Sequence, residues 1–176
     1  MVRYPFPMET LHYWRYRSAV GPLLLGISPA GLCLLEFDRG TLPSRGAFAD
    51  VAWIESSEEA KPYIRELDEY FAGKRKQFTF ALDLRGTDFQ KRCWRALLAI
   101  PFGETRSYSE IARQIGSPTA VRAVGGANHV NPIAIVVPCH RVVGSSGSLT
   151  GYGGGLDLKK RLLELEGAWS AALALK

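Results

Sequence analysis

The hydrophobic pattern of the chain changes close to residue 84, and this change limits the possible folds more than any other feature of the sequence. Before it, short apolar runs alternate with turn residues, a pattern typical of β-strands. After it, apolar residues recur at helical spacing between helix start and stop signals. We therefore predict an α+β protein of two small domains, residues 1–84 and residues 85–176.

The first domain is predicted to be a small α/β unit with a supporting role. Its three apolar runs predict strands at residues 11–17, 23–27 and 32–37. The spacing of apolar residues predicts a helix over 58–71, and alternation predicts a further strand over 78–84. Nothing in this half indicates chemistry.

The composition is that of an ordinary globular protein, with 176 residues, 47% of them hydrophobic and 22% charged. A chain near this size buries about 68–70% of its unfolded surface, so disordered and disulfide-scaffold classes are excluded. The longest apolar runs are far shorter than the roughly 20 residues of a membrane span, and the N-terminus lacks a secretory signal pattern. Three scattered cysteines indicate reduced thiols. We expect an intracellular, cytoplasmic protein with no membrane partner.

The charge is divided unevenly between the two domains. Residues 1–84 carry 10 Lys and Arg against 11 Asp and Glu, whereas residues 85–176 carry 12 against 6. An excess of positive charge confined to one half indicates an anionic partner, with nucleic acid as the leading candidate. A merely basic surface is the alternative.

The second domain is predicted to contain a helix-turn-helix. Thr87-Asp88-Phe89-Gln90 and Ser107-Tyr108-Ser109-Glu110 have the form of capping boxes, and each opens a helix. The first of these helices ends at Pro101 and the second at Gly116. Ser117 is predicted to cap a third helix, with Pro118 at its first position. Two short helices joined so tightly are typical of a DNA-binding motif, although a helical hairpin that only packs in the core gives the same pattern.

The third helix shows an apolar face and a charged side chain opposite to it. The apolar face is predicted to consist of Ala120, Val121, Val124 and Ala127. Arg122 lies away from this face, where it contacts either solvent or a ligand. Gly125-Gly126 weakens the helix by about 1 kcal/mol per glycine relative to alanine, which indicates close approach of the next chain segment or of a nucleic-acid backbone.

The segment 131–142 carries the candidate nucleophile. An apolar run leads Cys139 into the interior, and the neighbouring His140 and Arg141 could stabilise a thiolate. Because neighbours on an extended chain point to opposite faces, we expect His140 to reach the thiol through a bend or a bridging water. A carboxylate is the usual group that orients such an imidazole. A final helix from residue 157 to 167, with Leu158, Leu162 and Leu165 inward, supplies two acidic candidates, Glu164 and Glu166. Cys33 and Cys93, in apolar settings, are interpreted as inert.

A glycine-rich loop separates the candidate nucleophile from the final helix. It contains Gly151-Tyr152-Gly153-Gly154-Gly155 and is either a flexible linker or a pocket wall with exposed backbone N–H groups. No phosphate-binding loop or dinucleotide fingerprint is present in the sequence. Apart from the Cys139-His140 pair, the cysteines and histidines lack the spacing of metal ligands, so neither a metal nor a cofactor is expected.

The second half resembles the O6-alkylguanine-DNA alkyltransferases, the methylated-DNA–protein-cysteine methyltransferases. The resemblance covers residues 89–167 and rests on Pro138-Cys139-His140-Arg141-Val142, together with further matches at residues 102–103, 107–108, 122–127, 131–132 and 163–167. The first half resembles the family only loosely, over residues 21–36. The family joins an N-terminal ribonuclease-H-like α/β domain to a C-terminal winged helix-turn-helix domain.

The resemblance implies a single-turnover repair reaction on duplex DNA. The family binds the minor groove, flips an O6-alkylguanine into a pocket, and transfers the alkyl group irreversibly to a cysteine; O4-alkylthymine is implied as a poorer substrate. By position, Cys139 is the acceptor, His140 the water-linked base and Glu166 its orienting carboxylate. Tyr108 assists flipping and can protonate the leaving guanine, and Asn131 is a hinge between the recognition helix and the active site.

The resemblance also implies an interface with DNA and a base pocket. Arg122 matches the arginine that fills the gap left by the flipped base. The residues implied at the DNA interface are Arg122, Tyr108, Ser117, Thr119, Ala120, Ala123, Gly126 and Asn128. Val142, Tyr152 and Gly153 are implied in the substrate pocket. Asn128 stands where some relatives place an apolar side chain against the base. The partner is double-stranded DNA containing O6-alkylguanine, and a prokaryotic protein of this kind is associated with the nucleoid.

Three other classes compete with this interpretation. A non-transferring sensor of alkylated DNA is disfavoured because such proteins replace the cysteine that is present here as Cys139. A helix-turn-helix regulator leaves the Cys-His-Arg segment and Glu166 unexplained. A Cys-His hydrolase turns over repeatedly, whereas an alkyltransferase stops after one event, because no residue here can restore the thiol from a thioether.

The structural zinc of certain family members is not expected, because Cys33 and His12 alone cannot form a four-ligand site.

Overall fold

The computed structural model describes residues 8–169, and its first half is built on a four-stranded sheet. Strands β1 (Glu9–Ser18), β2 (Gly21–Ser28) and β3 (Gly31–Phe37) form an antiparallel meander, which confirms the three predicted strands. Strand β4 (Val51–Glu55) pairs in parallel with β1 at the sheet edge and gives the order β3-β2-β1-β4. This edge strand was not predicted, because its side chains are only partly buried and show no clear alternation.

Helix α1 (Ser57–Phe71) packs against the sheet and confirms the predicted helix. Its N-cap, Ser56, accepts a hydrogen bond from the backbone N–H of Glu59. The further strand predicted over 78–84 is wrong, since this segment makes only one bridge, between Leu82 and Leu32. Its alternating aromatic residues pack instead against aromatic rings of α1, with Phe78 near Tyr70. The alternation of apolar residues over 78–84 therefore reflects packing against helix α1 and not pairing in a sheet.

The second half is helical, as predicted. It contains α2 (Asp88–Leu98), α3 (Tyr108–Gln114), α4 (Val121–His129) and α5 (Leu156–Leu165), with a short parallel pair of strands, β5 (Arg106–Ser107) and β6 (Val142–Val143). Both predicted capping boxes are present, at Thr87 with Gln90 and at Ser107 with Glu110. Helices α3 and α4 pack on each other and on α2. The α+β class with a C-terminal helix-turn-helix is confirmed.

Helix α4 starts later than predicted and buries a different face. Ser117 does not cap it, because residues 117–120 form a turn in which the N–H of Ala120 donates to the carbonyl of Ser117. The helix begins at residue 121, so its buried positions are Val124, Ala127 and Asn128. Val121 is exposed and does not belong to the apolar face.

The buried stripe of α5 also differs from the predicted one. Leu165 faces outward, whereas Leu162 and Leu163 are fully buried. Lys159 and Glu166 complete this stripe, at the i, i+3, i+4 and i+7 spacing of one helix face. The spacing of apolar residues alone predicted the wrong buried face of α5, because two of the four residues on the observed face are charged.

The two halves share one hydrophobic core, and strand β3 connects directly to the segment before Cys139. The N–H of Leu35 donates to the carbonyl of Pro132, and the N–H of Ala134 donates to the carbonyl of Leu35, both at 2.8 Å. The sheet of the first half therefore holds the chain that leads to the candidate nucleophile. Within residues 8–169, no helix combines the length and the apolar character required to cross a membrane.

Candidate active site

Cys139 lies at the end of a compact, buried turn. The side chains of Ile133, Ile135 and Val137 are completely buried, which confirms that the apolar run leads the cysteine into the interior. Ile135 has a φ of 71°, a left-handed conformation that is a genuine outlier for a β-branched residue. This strain is held in place by the surrounding core and fixes the direction in which the chain enters the site.

Asn131 joins the end of helix α4 to the cysteine. Its Oδ1 accepts the N–H of Ile133 at 3.0 Å, and its Nδ2 donates to the carbonyl of Val137 at 2.8 Å. The same Nδ2 lies 3.2 Å from the Sγ of Cys139. Asn131 thus spans the strained turn between α4 and Cys139 from both sides and contacts the sulfur, and its role as a hinge stays a prediction.

His140 does not follow Cys139 on an extended chain, because residues Cys139–Arg141 form a turn of 3₁₀-helix. The imidazole is fully buried, and its Nε2 lies 2.8 Å from Oε1 of Glu166. The chain bends here, but no hydrogen bond joins the imidazole to the thiol among residues 8–169, so a bridging water remains the predicted link. Arg141 also departs from expectation: its guanidinium turns to Glu166 and to the carbonyl of Ile100 rather than to the thiol.

Glu166 is the hub of a buried hydrogen-bond network. Arg141 donates to it from Nε at 2.8 Å and from Nη2 at 3.0 Å. The hydroxyl of Tyr70 donates to Oε1 at 2.6 Å, although Tyr70 lies on α1 in the first half of the chain. Glu164, the other acidic candidate, is half exposed and lies 3.8 Å from Lys160. The structure therefore brings Glu166, and not Glu164, to the histidine.

The network determines which nitrogen of His140 carries the hydrogen. Burial raises the pKa of the Glu166 carboxyl, but hydrogen bonds from His140 and Arg141 outweigh this and lower the pKa to about 2. An ionised carboxylate only accepts hydrogen bonds, so Nε2 of His140 must be protonated. Burial lowers the pKa of the imidazole despite the opposing carboxylate, which keeps the ring neutral. Nδ1 is then an unprotonated acceptor, and it is buried without a hydrogen-bond partner among residues 8–169.

The Cys139 thiol is protonated at rest and lies near a buried cation. Burial raises its pKa, while the hydrogen bond from Asn131 and the charge of Lys159 lower it in part. The Nζ of Lys159 donates to the carbonyl of Val142 at 2.5 Å and to that of Thr150 at 2.7 Å. Sequence reasoning missed Lys159, although its i, i+7 spacing from Glu166 on one helix face was a signal.

A cavity of about 350 Å³ opens above the sulfur. Its walls come from α3, α4 and the glycine-rich loop, which include Tyr108, Asn128, Tyr152 and Gly153 around Cys139. The hydroxyl of Thr150 donates to that of Tyr108 at 3.4 Å, so the phenolic hydrogen of Tyr108 stays free for a ligand. The loop is therefore a pocket wall, as one of the two interpretations of its glycines predicted. A smaller adjoining cavity of about 110 Å³ reaches Cys139 from the side of β3.

The outer face of α4 is an open surface. Arg122, Ala123 and Gly126 are exposed on it, as is Thr119 in the preceding turn, while Ser117 and Ala120 are partly buried. A Cβ placed on Gly126 would meet nothing within 4 Å, and one on Gly125 would meet only the Tyr108 ring at 4.0 Å. Within residues 8–169 nothing packs against Gly126, and Gly125 borders the cavity next to the Tyr108 ring.

Two implied residues need comment. Asn128 was implied both at the DNA interface and at a position where relatives place a side chain against the base; it is buried and lines the cavity with Cys139, which fits the second of these positions. Val142 is completely buried and lines neither of the two cavities at Cys139, and its carbonyl instead accepts a hydrogen bond from Lys159. Among residues 8–169, no group of three or more His, Cys, Asp or Glu side chains is arranged to hold a metal ion.

Comparison with known families covers nearly the whole described chain. Residues 11–84 match the ribonuclease-like domain of 6-O-methylguanine DNA methyltransferase. Residues 88–168 match the DNA-binding domain of the same family.

Individual relatives give the same result. The methylated-DNA–protein-cysteine methyltransferase of Mycobacterium tuberculosis strain H37Rv is 53% identical over 157 residues, which span 89% of this chain and 92% of the relative. That of Methanosarcina acetivorans is 48% identical over 158 residues, or 90% and 99% of the two chains. The crystal structure of Mycobacterium tuberculosis OGT in complex with DNA superposes with a TM-score of 0.80 at 51% identity, covering 89% of this chain and 93% of that one.

Proposed function

The chain belongs to the 6-O-methylguanine DNA methyltransferase family, and from this premise we propose that Cys139 takes the alkyl group from O6-alkylguanine in duplex DNA. The activity is the repair of alkylated DNA by transfer to a protein cysteine. One observation carries the assignment to Cys139. Its sulfur lies at a cavity, in contact with Asn131, and the next residue, His140, is hydrogen-bonded to the ionised Glu166.

Helix α4 is proposed to bind the minor groove and to bring the lesion to the cavity. Its exposed face carries Arg122, for which no ion pair or hydrogen bond is found within residues 8–169, and the open backbone of Gly126. Extruding a base costs a few kcal/mol, and the guanidinium of Arg122 offsets this by filling the stack. Little sequence is read in the minor groove, which suits a protein that must inspect any stretch of DNA.

His140 is proposed to remove the thiol hydrogen of Cys139 through a water molecule. Its Nδ1 is the free acceptor, because Nε2 donates to Glu166. The imidazolium that forms lies directly beside the carboxylate of Glu166, which offsets its burial. The thiolate is stabilised by the Nδ2 donor of Asn131 and by the charge of Lys159.

The transfer itself is a displacement at a saturated carbon. The thiolate forms the S–C bond as the C–O6 bond breaks, and the electron pair of the broken bond passes to the guanine. Tyr108 donates its phenolic hydrogen to the leaving base and regains one from the imidazolium through solvent. The net change moves the thiol hydrogen to guanine and leaves a thioether on Cys139.

The reaction stops after one event because none of the described residues can cleave a thioether. We also propose that O4-alkylthymine is a poorer substrate, that the protein acts as a monomer, and that it resides in the cytoplasm, at the nucleoid if the cell is prokaryotic. Duplex DNA as the partner supports this location.

Intact-protein mass spectrometry tests the proposal. The protein is incubated with a duplex that contains one O6-methylguanine, beside the variants Cys139→Ala and Cys93→Ala. Cys93 is a suitable control because it is a completely buried cysteine on α2.

We expect a gain of one methylene group, about 14 Da, that saturates at one per molecule. Cys93→Ala should gain the same mass and Cys139→Ala none. Tight binding to the lesion without a mass gain would identify a sensor, and the loss of transfer in Cys93→Ala alone would move the acceptor to α2.

A further inference from the structure

Asn128 holds a buried amide that lacks a partner. The residue is 9% exposed, and both Oδ1 and Nδ2 are shielded from solvent without a hydrogen-bond partner among residues 8–169. Its neighbours on the inner face of α4, Val124 and Ala127, are apolar and pack in the core. An apolar side chain would fill the same place without an unsatisfied amide, so the amide has to be explained by something that binds.

The cavity is where a partner for this amide can enter, because Asn128 forms part of its wall. Asn128 and Cys139 both line the larger cavity, and both also line the smaller one beside it. Asn128 and the residue that carries the reacting sulfur therefore border the same two cavities. Any group that fills the larger cavity meets Asn128 and Cys139 together.

We propose that Asn128 reads the extruded base by donating a hydrogen bond from Nδ2 to the ring nitrogen next to the alkylated carbon. This inference rests on the proposed function. In undamaged guanine that nitrogen, N1, carries a hydrogen. Alkylation at O6 removes this hydrogen and leaves N1 as an acceptor. N3 of O4-alkylthymine changes in the same way, so one donor serves both lesions.

The same hydrogen bond assists the transfer. As the C–O6 bond breaks, its electron pair spreads over the ring, and N1 takes part of the negative charge. A donor at N1 is therefore bound more strongly in the transition state than in the ground state, which lowers the barrier. Asn128 is in this respect a specificity residue that touches the substrate, distinct from the groups that act on the thiol.

A coupling experiment tests the contact. Single-turnover methyl transfer is measured for the unmodified protein and for Asn128→Leu, which keeps the shape of the side chain and removes the donor. The duplexes carry O6-methylguanine, its 1-deaza analogue with C–H in place of N1, or its 7-deaza analogue. Thermal unfolding without DNA is recorded for both proteins.

We expect about a tenfold slower transfer for Asn128→Leu on O6-methylguanine, and a similar loss for the unmodified protein on the 1-deaza lesion. Asn128→Leu acting on the 1-deaza lesion should be no slower than either single change, because both remove the same hydrogen bond. On the 7-deaza lesion, the rate reductions caused by the analogue and by the variant should multiply. The Tm of Asn128→Leu should equal or exceed that of the unmodified protein, because two unsatisfied atoms are removed.

Three results would overturn the assignment. They are an unchanged transfer rate for Asn128→Leu, rate reductions of the variant and the 1-deaza lesion that multiply, and rate reductions of the variant and the 7-deaza lesion that do not multiply. A lower Tm for Asn128→Leu would also contradict it, since the amide would then have a structural partner. If the unmodified protein gains no methyl group from O6-methylguanine, the proposed function itself fails. If the unmodified protein transfers the methyl group but Asn128→Leu shows no coupling to the 1-deaza lesion, the proposed function stands and only the role of Asn128 is lost.

Discussion

The hydroxyl of Tyr70 donates a 2.6 Å hydrogen bond to Oε1 of Glu166, the oxygen that also lies 2.8 Å from Nε2 of His140. Tyr70 belongs to helix α1, whereas Glu166 ends helix α5, so the bond crosses between the two halves of the chain. The carboxylate that sets the tautomer of the histidine is therefore positioned partly from the first domain. The first half of the chain thus completes the hydrogen-bond network around His140, the proposed base.

Replacement of Tyr70 by Phe should destabilise the protein and slow methyl transfer. The change removes a buried hydrogen bond to a charged acceptor, which is worth about 1.5–3 kcal/mol. Arg141 still holds Glu166, so the fold should survive and transfer should slow by less than about tenfold. Urea unfolding and single-turnover rates measure the two effects. Tyr63 on the same helix is partly buried, and no hydrogen bond of its hydroxyl is found within residues 8–169, so Tyr63→Phe should change stability by less than about 0.5 kcal/mol. Equal losses in both variants would show that the bond to Glu166 contributes nothing.

Glu166→Gln should abolish efficient transfer. The neutral amide no longer balances the buried guanidinium of Arg141, and breaking a buried pair costs about 3–5 kcal/mol. It also no longer fixes the hydrogen on Nε2 of His140, so the loss of base catalysis should lower the rate by about 10²–10⁴-fold. Glu164→Gln is the matched control, two residues earlier on an exposed face. A similar rate for the two variants would contradict the role of Glu166.

The pH dependence of stability should also separate Glu166 from other carboxylates. Its pKa of about 2 lies below the usual value of 4.5, so the ionised form stabilises the folded state fully above pH 4.5. This contribution is lost as the pH falls through about 2, and a shift of this size corresponds to about 3 kcal/mol. As the pH falls from 5 towards about 2, the free energy of unfolding should decrease more for the unmodified protein than for Glu166→Gln. Parallel curves from urea titrations of the two proteins would rule this out.

Patterns of apolar spacing and capping were enough to predict most helices and strands. The capping boxes at Thr87 and Ser107 predicted helix starts correctly, because a cap depends only on a few neighbouring side chains. Ser117 failed as a cap for a similar local reason: the residues after it prefer a turn, and α4 starts at residue 121. Strand β4 escaped prediction because an edge strand needs little burial.

The candidate site was predictable from residues that are unusual in their setting, and it was missed where the residue type is common in that setting. Cys139 and His140 stand out in an apolar run. Lys159 and Tyr70 do not, because a lysine on a helix is usually solvated and a tyrosine in a core is usually only packed. Their roles depend on contacts over long sequence separations, such as the 96 residues between Tyr70 and Glu166, which no local pattern contains.

Lys159→Met should shift the reaction to higher pH. Burial lowers the pKa of Lys159 to about 8, so its Nζ is mostly charged at neutral pH and favours the thiolate of Cys139. Methionine keeps the length of the side chain but removes the charge and leaves two carbonyl groups without their donor. One unit of thiol pKa corresponds to about a tenfold slower transfer at neutral pH.

The rate of single-turnover transfer as a function of pH checks this shift. Lys160→Met is the control, because Lys160 is the next residue on the same helix and its side chain is half exposed. Its profile should match that of the unmodified protein. A Lys159→Met profile with a lower plateau at every pH but no displacement would indicate that the lysine only holds the loop carbonyls.

Arg122→Ala should weaken action on duplex DNA without affecting the chemistry at Cys139. Arg122 is exposed on α4, and no ion pair or hydrogen bond within residues 8–169 holds its guanidinium, so its removal should change stability by less than about 0.5 kcal/mol. Transfer from a duplex lesion should slow by at least about tenfold, because the gap left by the extruded base is no longer filled. Transfer from the free base O6-methylguanine needs no extrusion and should proceed at the unmodified rate.

Arg65→Ala controls for general electrostatic attraction, because Arg65 is exposed on α1 and its removal changes the net charge equally. If both variants slow duplex repair equally, or if Arg122→Ala slows the free base as much as the duplex, Arg122 does not act in base extrusion.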